Sequence, residues 1–324
     1  MAYAIVAERP GGPEVLRRID IDPPDPGDGE VLVRQTAIGV NFIDIYIRSG
    51  SYPWPVKRDL TLGCEGAGTV QVIGPGVRGF GIGDRVAYTV PNGAYATHRN
   101  VPASMLLRLP ECVSDEQAAA STLKGLTAYY LLNDSYPVKD GDTVLMHAAA
   151  GGVGLLAGQW LSARGVRAIG TAGGGAKCAL AQKNGYTDTV DYKTEDFVSR
   201  VRDLTGGEGV NAVYDSVGRD TVKGSLECLK TFGTLVSFGQ SSGAPDDFRI
   251  SDLARGSLRL QRPTLFHYAA SRDWLEKASA ELFAAIRDGT LKVDVPVRRP
   301  LEEAMQAHED LQGRRTTGST VLVP

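Results

Sequence analysis

Hydrophobic and polar positions change texture along this chain. Over the first third, short apolar or alternating runs recur at Met1–Ala7, Glu30–Ile38, Gly68–Ile73 and Arg85–Val90, each bounded by Gly, Pro or Asp. A period of two with such boundaries predicts half-buried strands. The connecting stretches "DPPDPGDGE" (Asp22–Glu30) and "GPGVRGFGIGDRV" (Gly74–Val86) hold the prolines and glycines that stop helices and make tight turns. This part reads as a β-rich domain of short strands, a partly closed barrel.

From Ser114 the period lengthens. "SDEQAAASTLKGLTAYYLL" offers Ser114 as an N-cap, an acidic first turn and a long helical run. Strands then alternate with helices: strands at Thr143–His147, Ala168–Thr171, Thr189–Asp191, Ala212–Asp215 and Leu235–Gly239, helices at Gly152–Arg164, Ala176–Asn184, Glu195–Thr205 and Thr221–Leu229. That alternation predicts an α/β fold with a doubly wound parallel sheet. "GSLRLQRPTLF" (Gly256–Phe266) reads as a late edge strand, alternating Leu258 and Leu260 with Arg259 and Gln261. Paired with its two-fold copy, such an edge would close a homodimer through this domain. An amphipathic helix at Ser271–Asp288 and a strand at Ser319–Val323 follow, and the C-terminal strand is expected to return to the first domain.

Composition narrows the function classes. A chain of 324 residues predicts two domains. A net charge of −3 gives no electrostatic reason to expect nucleic acid or anionic lipid as a partner. Cys64, Cys112, Cys178 and Cys228 form no C-x-x-C pair, so neither a disulfide framework nor a four-cysteine zinc lobe is expected. Free thiols, charges at Glu8 and Arg9 where a signal peptide would be apolar, and no run long enough for a membrane span all point to the cytoplasm.

"DTVLMHAAAGGVGLLAGQWLSARG" (Asp142–Gly165) carries the strongest local signal. An apolar strand runs into Ala149-x-Gly151-x-x-Gly154, and an amphipathic helix follows. In that setting Gly151 lets backbone approach a pyrophosphate, Gly154 lets helix pack on strand, and the helix start binds phosphate charge; Ala150, Gly152 and Val153 complete the turn. Ala149 stands where a first glycine is usual, and an ordinary tight turn is the competing reading. NAD enzymes usually place Asp or Glu about 20 residues further on, for the ribose 2′-hydroxyl. Here "GTAGGGAKCA" (Gly170–Ala179) has no acid, but Gly173, Gly174 and Lys177. A missing carboxylate and an added ammonium suit a 2′-phosphate, so NADPH is the expected cofactor. Tyr192, after the next strand, is placed to pack on the adenine or bind that phosphate.

Motifs spread from end to end carry a resemblance. They are "GGPEVL" (Gly11–Leu16), "AIGVNFIDIYIRSGSYP" (Ala37–Pro53), "GCEGAGTV" (Gly63–Val70), "QAAASTLKGLTAYYLL" (Gln117–Leu132), "HAAAGGVG" (His147–Gly154), "VYDSVGRDT" (Val213–Thr221) and "VSFGQSSG" (Val236–Gly243). With them the chain resembles the zeta-crystallin-like NADPH:quinone oxidoreductases of the medium-chain dehydrogenase/reductase superfamily. The resemblance implies a GroES-like substrate domain over residues 1–122 and 268–324, interrupted by a Rossmann cofactor domain over 123–267, with the active site in the cleft between them. It also implies a homodimer. Zinc enzymes of the superfamily carry cysteine where this chain has Asn41 and histidine where it has Cys64. A thiol alone cannot make a catalytic site that needs about three protein ligands, so no metal is expected.

The resemblance further places Asn41, Tyr46 and Tyr52 near the nicotinamide and substrate, Thr127 and Tyr130 along the cofactor, and Phe238, Gly239, Gln240, Ser241 and Ser242 under its bridge. Ser216, Phe266 and Arg314 are further expected contacts. Related enoyl thioester reductases take a tyrosine in the stretch of Tyr52 as proton donor; a structural tyrosine against the cofactor is the alternative. Asp44 reads as a loop-positioning acid and His147 as a packed, hydrogen-bonded histidine. A quinone needs little acid–base help, because hydride addition gives an aromatic product that draws protons from water. Two other readings stay open: an NADPH-dependent reductase of α,β-unsaturated carbonyls or enoyl thioesters, and an NADPH-binding structural or RNA-binding protein. The absence of a basic cluster weighs against RNA.

Overall fold

The computed structural model describes every residue from Met1 to Pro324. They divide into two compact units: Met1–Leu126 with Phe266–Gly289 and Val293–Pro324, and Thr127–Leu265 with Thr290–Lys292.

The second unit is built on a six-stranded sheet in the order Asp188–Asp191, Arg167–Ala172, Thr143–Met146, Val210–Asp215, Leu229–Ser237, Arg259–Gln261. Every pairing is parallel. In chain order this is 3-2-1-4-5-6, the dinucleotide-binding arrangement, whose strand order reverses between Thr143–Met146 and Val210–Asp215. Parallel strands are covered on both faces, so they read as continuous apolar runs: Leu145, Ile169, Val190, Val213 and Leu235 are all fully buried. The helices Gly152–Ala163, Gly175–Lys183, Phe197–Leu204 and Val222–Cys228 make the crossovers.

One expectation fails here. The late strand expected over Gly256–Phe266 has only three residues, Arg259–Gln261. Before it, Ser257 closes a 3-10 turn in the left-handed region (φ 49°), with Leu258 N–H bonded back to Leu253. After it, Pro263 has no N–H to offer a ladder, and Leu265–Ala269 is helical. Leu258 is buried while Leu260 is 39% exposed, so the two leucines do not form one apolar edge face.

In the first unit the strand Glu30–Val40 is the organiser. It pairs antiparallel with Glu65–Ile73 along most of its length, with His98–Pro102 over Glu30–Arg34, and with Thr320–Val323 over Ile38–Val40. The C-terminal strand does return to this unit. Register shifts at Leu32/Val33 and Gln35/Ala37 let one strand serve three partners, since bulges bend a strand and raise its twist. Arg85–Thr89 and Leu106–Arg108 extend one side of the seven-stranded sheet and Val297–Pro300 the other, while Leu16–Asp20, Tyr3–Ala7 and Leu60–Thr61 form a separate three-stranded sheet. Val31, Val33, Ile38, Val70, Val86, Tyr88, Leu106 and Leu322 fill the core.

The helix from Ser114 forms as expected, over Asp115–Tyr130. Ser114 Oγ accepts the N–H of Gln117 at 3.1 Å, and Gln117 Oε1 accepts the N–H of Ser114 at 3.1 Å. This reciprocal cap stabilises the helix start by about 1 kcal/mol.

Candidate active site

The turn after Thr143–Met146 is tightly wound. Ala148 sits in the left-handed region (φ 54°), and its carbonyl accepts the N–H of Gly151 at 2.9 Å. Gly154 then has no room for a side chain: a Cβ there would lie 2.5 Å from the Ala148 oxygen and 2.6 Å from the Ala149 oxygen. The helix Gly152–Ala163 begins with Gly151 as N-cap and no capping side chain. Its first-turn N–H groups and the positive end of its dipole, equivalent to about half a charge, therefore have no capping side chain to compete with an anion.

Next comes the end of Arg167–Ala172. Gly173 leaves space that Tyr192 fills, since a Cβ at 173 would lie 2.5 Å from Tyr192 Oη. Gly174 takes φ 99° and caps the helix Gly175–Lys183, again with no side-chain bond, and Lys177 lies in the first turn. The nearby carboxylate is that of Asp191, and Asp191 Oδ1 is already bonded to Gly174 N–H at 2.8 Å and Lys193 N–H at 3.1 Å. This turn holds small residues, an ammonium and an aromatic, with one oxygen of its acid bonded to backbone.

Two further loops meet beside these. Phe238 N–H bonds the Asp215 carbonyl (2.8 Å), Ser241 N–H that of Ser216 (3.1 Å) and Ser242 N–H that of Val217 (2.9 Å). The Ser242 hydroxyl donates to the Val217 carbonyl at 2.8 Å and accepts Asp220 N–H at 3.0 Å, so it clamps the loops together. A Cβ on Gly239 would lie 2.7 Å from the Ser216 oxygen, and Gly218 packs on Gln240. Asp215, at the strand end, accepts from Val217 and Gly218 N–H and from Thr221 and Ser225 hydroxyls. Because Ser225 donates to Asp215, it accepts from His147 Nε2 (3.0 Å), which leaves His147 Nδ1 to accept from Thr171 at 2.8 Å. His147 is thus a neutral, fully bonded strut, and burial lowers its pKa. Thr127 and Tyr130, one turn apart at the end of the long helix, are both buried.

In the first unit, the helix Phe42–Arg48 follows Glu30–Val40 directly, with Asn41 between them. The Tyr46 and Tyr52 rings lie tilted at 38° with centroids 5.1 Å apart, and Tyr52 N–H bonds the Tyr46 carbonyl at 3.0 Å. Tyr52 and Phe266 both pack against the core of this unit. Arg314 stands exposed in the turn after Ala304–Gln312, at φ 56°.

Asn41 is 5% exposed and doubly held. Its N–H bonds Asp44 Oδ2 at 2.9 Å, and its Nδ2 bonds Glu65 Oε2 at 2.9 Å. Glu65, fully buried, also receives Lys124 Nζ at 3.2 Å on that oxygen and Leu123 N–H at 2.6 Å on the other. Burial pushes Asp44 up to about 6 against the lowering effect of its bonds to Asn41 and Tyr95. It pushes the Cys64 thiol well above its ordinary value, with Asp44 adding to the effect, so Cys64 stays an uncharged core residue. No three His, Cys, Asp or Glu side chains lie close enough to hold a metal ion. Glu65 and Lys124 escaped sequence reasoning, although a lone acid in "LGCEGAG" and a lone cation in "AAASTLKGL" interrupt otherwise apolar or small-residue runs.

Two family models match: "Zinc-binding dehydrogenase" over residues 152–283 and "Alcohol dehydrogenase GroES-like domain" over residues 27–111. The chain is 48% identical to quinone oxidoreductase 1 of Escherichia coli, over all of both chains. It is 42% identical to a 2-haloacrylate reductase of a Burkholderia species, over all of this chain and 99% of that one. The crystal structure of the Escherichia coli quinone oxidoreductase complexed with NADPH superposes with a TM-score of 0.97 at 47% identity, covering 99% of this chain and 100% of that one.

Proposed function

Because the chain belongs to the quinone oxidoreductase family of the medium-chain dehydrogenases and reductases, we propose that it is an NADPH-dependent oxidoreductase that reduces quinones. The observation that carries the cofactor is Lys177 in the helix turn that Gly173 and Gly174 open, beside an Asp191 whose Oδ1 is bonded to backbone. A ribose 2′-hydroxyl would find one Asp191 oxygen already taken by backbone N–H groups, whereas a 2′-phosphate would meet an ammonium, a phenol and backbone N–H groups. The dinucleotide fits the molecule in a second respect, since the uncapped helix start at Gly151–Gly154 is a ready site for the pyrophosphate.

When bound, NADPH supplies a hydride. The residues of the chain bind and orient: Ala150, Gly151, Gly152, Val153 and Gly154 hold the pyrophosphate, and Lys177 with Tyr192 the 2′-phosphate. Ser216 and Phe238–Ser242 support the dinucleotide from the paired loops, with Thr127, Tyr130, Phe266 and Arg314 as further contacts. Asn41, Tyr46 and Tyr52 meet the nicotinamide and the acceptor. Alignment of donor and acceptor is the main demand, because quinone reduction gains aromatic stabilisation. The 2-haloacrylate reductase among the relatives favours a second reading, reduction of α,β-unsaturated carbonyls, in which Tyr52 would donate the proton. NADPH consumption with benzoquinone against 2-haloacrylate and an enoyl thioester separates the two.

We also propose a homodimer and a cytoplasmic location. The strand Arg259–Gln261 ends its sheet with no further partner, and Leu260, Phe232 and Ile250 are exposed in the same unit. A two-fold pairing of these edges would cover both. The four cysteines are unpaired, as a reducing compartment keeps them, and no helix is long and apolar enough to cross a membrane.

A further inference from the structure

The pair Glu65–Lys124 has no structural need to be ionic. Burying two charges costs several kcal/mol per ion, and apolar residues of the same volume often serve as well or better. Yet the pair is closely enclosed: a Cβ on Gly39 would meet both the Ala119 carbonyl and Glu65 Oε2. Both oxygens of Glu65 are spent on Leu123 N–H, Asn41 Nδ2 and Lys124 Nζ. The carboxylate is closed off at 0% exposure, whereas the Lys124 side chain keeps 7% and Asn41 5%. What stays open at this place is therefore the ammonium, not the acid that fixes it. The hydrogen bond to Glu65 uses one of the three Nζ–H groups and leaves two to donate.

We propose that Lys124 is a catalytic residue: beside Asn41, whose Nδ2 is held by Glu65 and the Gly39 carbonyl, it receives the acceptor oxygen on which negative charge gathers during reduction. Glu65 is the positioning residue, holding the ammonium through Oε2 so that it does not reorganise as the charge develops. Preset donors in a water-poor place are the strongest stabilisers of such charge, each accounting for about a hundredfold or more in rate. Protons then come from water. The inference rests on the quinone reading but needs only an acceptor oxygen that gains charge, so it carries over to an unsaturated carbonyl.

The test uses 4-nitrophenol, an acceptor-like ring whose ionisation is visible by absorbance, bound to the full chain without cofactor. The native protein should bind the phenolate at least about tenfold tighter than the phenol, which lowers the bound probe's apparent pKa by about one unit. The double variant Lys124→Met with Glu65→Gln, which leaves no unpaired buried charge, should lose that preference, and its kcat with benzoquinone should fall about a hundredfold. An unchanged probe pKa in the native protein overturns the proposal, as does a double variant that keeps both the preference and kcat. If the double variant does not fold, the native titration decides alone. If quinones are not turned over at all, the probe still reads Lys124, which separates failure of this inference from failure of the quinone reading.

Discussion

Tyr95 Oη lies 3.0 Å from Asp44 Oδ2 and 2.8 Å from His308 Nε2, and the direction of both bonds is set one residue further on. Arg48 can only donate, so its Nη1, 3.1 Å away, makes His308 Nδ1 an acceptor. His308 is then neutral with its proton on Nε2, Tyr95 accepts from it, and the phenol proton goes to Asp44. Asp44 in turn holds the backbone of Asn41. A buried line of four side chains thus fixes a residue of the candidate active site, and Asp44 Oδ1, which has no partner, is where a proton would add.

Two opposed titrations follow. Asp44, raised from 3.8 to about 6, stabilises the fold below pH 3.8 and loses that contribution, roughly 3 kcal/mol, as pH rises through 6. His308, lowered from 6.5 to about 3 by burial and by Arg48, contributes stability above pH 6.5 that is lost as pH falls towards 3. Between pH 4 and 6 the two slopes oppose each other in the native protein. Denaturation midpoints should fall steadily with falling pH in Asp44→Asn, and fall with rising pH from 4 to 6 in His308→Gln. Three parallel profiles would contradict the assignment.

Lys177→Glu should weaken NADPH binding by at least tenfold, about 1.4 kcal/mol, and affect NADH much less. A carboxylate would then face the 2′-phosphate beside an Asp191 that stays committed to Gly174 and Lys193. Calorimetric titration with both cofactors checks this. Equal losses would mean that Lys177 does not read the phosphate.

The sequence made the alternating unit legible because its strands are buried on both faces and its glycines are forced by close approach, as at Gly154. The β-rich unit was legible where its strands are mostly apolar, as at Thr320–Val323, but not at Leu16–Asp20 or His98–Pro102, where polar residues hide the period. Short ones such as Leu60–Thr61, Leu106–Arg108 and Val297–Pro300 carry too few residues to show a period. The edge strand was overread because Leu258 and Leu260 alternate in sequence while a 3-10 turn takes the first of them. At the site, types and motifs led to Asn41 but not to Glu65, Lys124, Tyr95 or His308. Those partners stand 24 to 267 positions away from it, and only folding joins them.

Tyr52→Phe removes one hydroxyl and leaves the ring against Tyr46. Quinone turnover should drop less than tenfold, under about 1.4 kcal/mol, because the oxygens of a hydroquinone take protons from water. Turnover of an enone should be lost if the phenol is its proton donor. A thousandfold drop with quinone at unchanged NADPH affinity would show that the phenol takes part directly.

Chelators should leave activity unchanged, and metal analysis should find well under one zinc per chain. The reason is the donor set: Asn41 and a protonated, buried Cys64 stand beside a Glu65 already bonded to Lys124. Stoichiometric zinc, with activity lost on its removal, would reverse this.

The most direct test of the central claim is steady-state turnover by the purified chain, with NADPH or NADH as donor and benzoquinone, 2-haloacrylate or an enoyl thioester as acceptor. NADPH with benzoquinone should give the highest kcat/KM, at least about tenfold above NADH with the same quinone and above either unsaturated acceptor with NADPH. Equal use of NADH, or reduction of 2-haloacrylate without reduction of the quinone, would contradict it.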